Sequence, residues 1–120
     1  MAKIKIYSIH KEGGADEEYV LLQTTEDVNI GNYAIMDNTF DDEGRLSNIY
    51  RHFFRFPSKM VKKGEFVALF TGKGTPYVGK MEYGEPVYVY YWGSKAPIWN
   101  DDDIDKAALI YVATIDTKAA

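Results

Sequence analysis

Polar and apolar positions alternate along most of this chain, with a period of two rather than 3.6. "KIKIYSI" (3–9) sets lysine or serine against Ile4 and Ile6, as a strand with one wetted face does. "EYVLLQTT", "NIGNYAIMD", "NIYRHFFRF", "EFVALFT", "PVYVYYW" and "KAALIYVATI" follow in order, all rich in strand formers. In "PVYVYYW" the parity puts Tyr88, Tyr90 and Trp92 on one face and Val87, Val89 and Tyr91 on the other. Turn signals separate the runs: Gly13-Gly14, "DDEG", "KKGE", "GKGT", "YGEP" and "GSKAP". No stretch offers a good amphipathic helix, since "DDDIDKAAL" runs straight into β-branched residues. The pattern predicts an all-β fold, an antiparallel β-sandwich of about 7–9 short strands. One long irregular segment is expected, 72–86, either a wide hairpin excursion or the cover for a short strand around Tyr77-Val78.

Length and composition narrow this picture. The 120 residues suit a single domain, 1–120, with no room for two cores. Hydrophobic residues at 46% exclude a disordered chain. The absence of cysteine removes disulfides, thiolate metal sites and cysteine nucleophiles together. No apolar run is long enough to cross a bilayer, and "MAKIKIYSIHKEGG" has no apolar block of a secretory signal. A cytoplasmic location is expected for the chain as it stands, or an exported one for the mature part of a longer precursor.

Three segments invite a functional reading. Trp92 and Trp99 flank a Gly-Pro loop and fit either core packing at a strand end or an aromatic ligand platform. Asp101, Asp103 and Asp105 have the spacing of calcium ligands, but a bend glycine and a closing glutamate are missing, so a solvated turn is the expectation and no metal is assigned. From Arg45 to Gly64 the charges are all basic (Arg51, Arg55, Lys59, Lys62 and Lys63 among them), with Phe53, Phe54 and Phe56 between them. Such a run suits phosphate contacts with base stacking, or a strand with one solvated face. Arg51, Phe53 and Arg55 share one parity and should face outward, with Phe54 and Phe56 inward. The net charge of −4 argues against general coating of nucleic acid. Catalysis finds no support: "GKGT" lacks phosphate-loop spacing, there is no Gly-x-Ser-x-Gly, and His10 and His52 form no ligand pair. The chain is not expected to be an enzyme or to carry a cofactor.

Three blocks carry a family resemblance. In the first, Glu18, Tyr19 and Val20 precede Val28, Ile30, Gly31, Tyr33 and Asp37. In the second, Phe56-Pro57 and Gly64 lead to Thr71-Gly72 and Gly74. In the third, Trp92-Gly93 is followed by Trp99-Asn100, Asp105 and Leu109. Together, over residues 4–112, they resemble the lamin tail domain, an immunoglobulin-like β-sandwich. The sequence departs from that pattern at Ile104, in "QTTED", and in the longer segment 75–86. The resemblance implies a non-enzymatic interaction module. Its expected partner is a protein or peptide held at a strand edge or loop; the alternative is nucleic acid or another polyanion held by 45–63. Sequence leaves the partner's identity and the oligomeric state open.

Overall fold

The computed structural model describes residues 3–11, 14–38, 53–95, 99, 106–113 and 116–119. Among these residues there are ten strands and no α-helix: β1 Ile4–His10, β2 Tyr19–Thr24, β3 Val28–Asn29, β4 Tyr33–Asn38, β5 Phe53–Arg55, β6 Met60–Val61, β7 Phe66–Phe70, β8 Tyr77–Lys80, β9 Pro86–Tyr91 and β10 Lys106–Tyr111. A 3-10 turn, Ile30–Asn32, joins β3 to β4. The fold is all-β, as the period of two predicts.

The strands form a five-stranded sheet in the order β1-β2-β7-β9-β8, a three-stranded sheet β10-β4-β5, and the short pair β3-β6. Every pairing is antiparallel except β7 with β9, which run parallel. The expected all-antiparallel pattern is therefore broken at one place. After β7 the chain bypasses the neighbouring position, runs along the sheet margin as β8, and turns back through 81–85 to lay β9 in the gap. The turn is closed by Gly84 N–H donating to Met81 O (2.9 Å) and Met81 N–H donating to Glu85 O (2.7 Å), with Gly84 at φ 94°. The strand anticipated near Tyr77-Val78 is β8.

One apolar core joins the two larger sheets. Val20, Leu22, Val67 and Leu69 of the first meet Tyr33 and Ile35 of the second, with Phe56, Val61 and Trp99 between. Tyr88, Tyr90 and Trp92 pack against this core, while Val87, Val89 and Tyr91 join a second cluster on the outer face of the five-stranded sheet. β7 is central and supplies both clusters, which is why "FVALF" reads as an unbroken apolar run.

The outer cluster is roofed by a row of rings. His10, Tyr19, Phe70 and Tyr91 lie in register across β1, β2, β7 and β9. Successive centroids are 5.0, 4.9 and 5.6 Å apart, with interplanar angles of 16°, 32° and 32°. That spacing is close to the distance between neighbouring strands, so the rings stand on edge and cover one another's faces. A β-carbon on Gly74 would lie 2.5 Å from the Tyr91 ring, so the second glycine of "TGKG" seats the end of the row.

Candidate functional site

The three blocks that carry the resemblance meet in space at Glu18, whose side chain is fully buried. Thr71 Oγ1–H donates to Glu18 Oε1 (2.7 Å), and the Trp99 backbone N–H donates to the same oxygen (3.1 Å). Thr71 N–H also donates to Glu18 O (3.0 Å), while Ser94 N–H donates to Thr71 O (2.8 Å). A carboxylate taken out of water is costly unless such donors surround it. Gly72 lets the 71–74 turn approach the 14–17 turn, since a β-carbon there would lie 3.0 Å from Ala15 O. Trp99 is 4% exposed, and its ring lies 6.1 Å from that of the partly buried Trp92. Both indoles therefore pack against the core rather than form an open platform. This hub is structural: it ties Trp99 to the ends of β2 and β7.

The basic segment is less uniform in space than in sequence. Phe53 and Arg55 are exposed on β5 while Phe54 is partly and Phe56 fully buried, as parity predicts. Arg55 Nε–H donates to Gly31 O (2.8 Å), which pins the guanidinium to the 3-10 turn. Lys59 Nζ sits 5.2 Å above the Tyr88 ring. Lys62 and Lys63 belong to a separate turn that acids cap: Lys62 N–H donates to Glu65 Oε1 (2.9 Å) and Lys63 N–H to Asp27 Oδ1 (2.8 Å). Carboxylates, one adjacent in sequence (Glu65) and one distant (Asp27), are thus interleaved with the lysines, which lowers the potential a phosphate backbone would meet. Arg51, and the candidate metal ligands Asp101, Asp103 and Asp105, lie outside the described residues. Among the described residues no group of three His, Asp or Glu is placed to hold a metal.

The five-stranded sheet ends in two unlike margins. β1 is interrupted by a bulge between Ile6 and Ser8 and carries Lys5, features that discourage strand pairing. β8 keeps continuous register with β9 and, among the described residues, pairs on that side only. Its Tyr77 is 53% exposed and its Val78 61% exposed, on opposite faces. Beside Val78 the sheet projects past the core and leaves a hollow of about 160 Å³. Lys59, Pro76, Tyr77, Val78 and the β9 residues 88–90 line it. Its floor is aromatic, its rim carries one ammonium, and no acid is among its described lining residues, with Glu65 held behind it by the Tyr88 hydroxyl.

Three tyrosines of β9 resist ionisation. Burial raises the Tyr88 hydroxyl above its ordinary 10.0, and the charge of Glu65 and the 3.2 Å bond that Tyr88 donates to Glu65 Oε1 add to this. Tyr90 is raised by burial and then by Tyr88, and Tyr91 by burial and then by its contact with Tyr77. Of these, Tyr88 and Tyr90 line the hollow, and burial favours their neutral phenol form. Sequence reading did not reach Val78, Tyr88 and Lys59 as a group. The signal present was the apolar pair Tyr77-Val78 stranded among turn residues. Neither a protein-family model nor a curated protein matches the chain.

Proposed function

We propose that this protein is a non-enzymatic interaction module, lamin-tail-like in organisation, that binds an extended peptide segment of a partner protein along β8. The observation that carries the reading is the unbulged margin of β8, paired on one side only among the described residues, beside the Lys59–Val78–Tyr88 hollow. An incoming strand would add main-chain hydrogen bonds to the sheet, and its alternate side chains would fall into or away from the hollow. The chemistry of the lining selects an apolar residue with an acidic neighbour: aromatic walls take the first and the Lys59 ammonium faces the second. Convergence of Glu18, Thr71 and Trp99 supports the lamin-tail-like part of the reading, because all three resembling blocks contribute to one buried contact. The nucleic-acid alternative is weaker on the same ground, since Asp27 and Glu65 stand among the lysines it would need.

The test is a selection of random extended peptides on the immobilised protein. Recovered sequences should share an apolar–acidic pair. Val78→Asp and Lys59→Glu should each weaken their binding by about tenfold or more, as loss of a central contact does. Both positions are exposed, so the melting temperature should hardly move. Peptides that bind both variants as tightly as the parent would place the binding surface elsewhere.

A further inference from the structure

A second hollow, of about 360 Å³, lies beyond the end of β5 and is lined by Asn29, Gly31, Asn32, Arg55, Phe56 and Ser58. It shares no lining residue with the hollow at β8. We infer that it is a binding site for a carboxylate, held by the Arg55 guanidinium and the Ser58 hydroxyl.

The donor set is built into the local fold. Asn29 caps the 3-10 turn: its Oδ1 accepts from Gly31 N–H (2.8 Å) and from Lys59 N–H (3.1 Å). Its Nδ2–H donates to Ser58 Oγ (2.9 Å), so the Ser58 hydroxyl has its own proton left to donate. Gly31 makes this closeness possible, because a β-carbon there would lie 2.9 Å from Ser58 Cα. Arg55 is held by its Nε–H on Gly31 O, which fixes the plane of the guanidinium and leaves the paired Nη groups to act as a fork. Phe56, buried beneath, lowers the freedom of that arrangement to relax. Among the described residues the lining supplies one cation and several donors and no carboxylate.

Charge decides which anion fits. Lys59 neighbours Ser58 but sends its ammonium over Tyr88, away from this hollow. One guanidinium balances one negative charge, and a two-nitrogen fork matches the two oxygens of a carboxylate. A phosphate dianion would be left with uncompensated charge. Two sources can present the group: the end of a peptide chain, or an aspartate or glutamate side chain.

The test follows backbone amides and the Arg55 Nε–H by nitrogen-15 NMR at constant ionic strength. The probes are acetate, N-acetylglycine (a chain end), N-acetylaspartate α-amide (a side chain) and inorganic phosphate. The carboxylates should produce saturable shifts at Gly31, Asn32, Ser58 and Arg55. The tighter of N-acetylglycine and N-acetylaspartate α-amide identifies the source. Arg55→Gln and Arg55→Lys should each weaken binding about tenfold or more, the lysine because it keeps the charge and loses the fork. Ser58→Ala leaves the Arg55 anchor intact and should weaken binding by about two- to tenfold. Lys73→Gln, at an exposed position in the 71–74 turn and outside both hollows, should leave the affinity unchanged. Shifts that stay linear with probe concentration, or persist in Arg55→Gln, would overturn the assignment, as would phosphate binding more tightly than every carboxylate. The β8 peptide selection reads a different surface, so each result stands apart from the other.

Discussion

Glu18→Ala is the perturbation whose cost can be worked most directly from the structure. The change removes the acceptor of two buried donors, Thr71 Oγ1–H and Trp99 N–H. Each orphaned donor costs about 1–3 kcal/mol, which gives about 2–6 kcal/mol together. Losing the side-chain packing adds to this, while removing a buried carboxylate relieves its own desolvation cost, an opposing effect of several kcal/mol. The net expectation is a loss of about 2–4 kcal/mol. With a urea slope of about 1–2 kcal/mol per molar for a domain this size, the unfolding midpoint should fall by about 1–4 M. Glu18→Gln keeps an oxygen acceptor for both donors and should lose less than half as much. Equilibrium urea unfolding followed by tryptophan fluorescence reads both quantities, since Trp99 is itself one of the donors. A midpoint within about 0.3 M of the parent for Glu18→Ala would refute the reasoning, and equal losses for the two variants would show that charge rather than acceptor geometry matters.

Further outcomes are expected from the same contacts. Trp99→Ala should cost about 3–5 kcal/mol in the same unfolding measurement, as truncation of a buried aromatic does; a cost near zero would contradict its burial. Gly72→Ala should cost about 1–3 kcal/mol, because the added methyl meets Ala15 O and the Asp16 side chain, and its melt is the check. Tyr88, Tyr90 and Tyr91 have folded-state values raised above the ordinary 10.0, so the stability they contribute is complete below about pH 10 and is lost as pH rises through their folded values. Thermal melts should accordingly hold up to about pH 10 and fall beyond it, with part of the tyrosinate absorbance appearing only with unfolding.

Much of the fold is legible in local sequence because strand parity is a local property. "PVYVYYW" assigns its two faces correctly since β9 lies inside a sheet with a different apolar cluster on each side. β8 is harder to read, because its four residues carry exposed side chains on both faces and lack an alternating pattern. The parallel pairing of β7 with β9 leaves no trace in parity, which is the same for either strand direction. Contacts between distant residues escape local reading altogether. Glu18 bonds to Thr71 and Trp99 across 53 and 81 residues, so the blocks are visible singly and their meeting point is not. The basic run 45–63 looks unopposed partly for the same reason: Glu65 follows it closely and is legible locally, but Asp27, which also tempers it, lies 36 residues before Lys63. The two hollows depend on how sheet margins overhang the core, a tertiary feature that neither composition nor spacing encodes.

Hydrogen–deuterium exchange of the strand-edge amides, with and without a peptide recovered by selection, tests the central claim most directly. Binding by strand addition should slow exchange by about tenfold or more within Tyr77–Lys80, because amides facing solvent at the sheet margin gain partners. The amides of β1 should keep their free-state rates. Unchanged exchange in β8, with new protection on β1, β5 or β10 instead, would contradict the account.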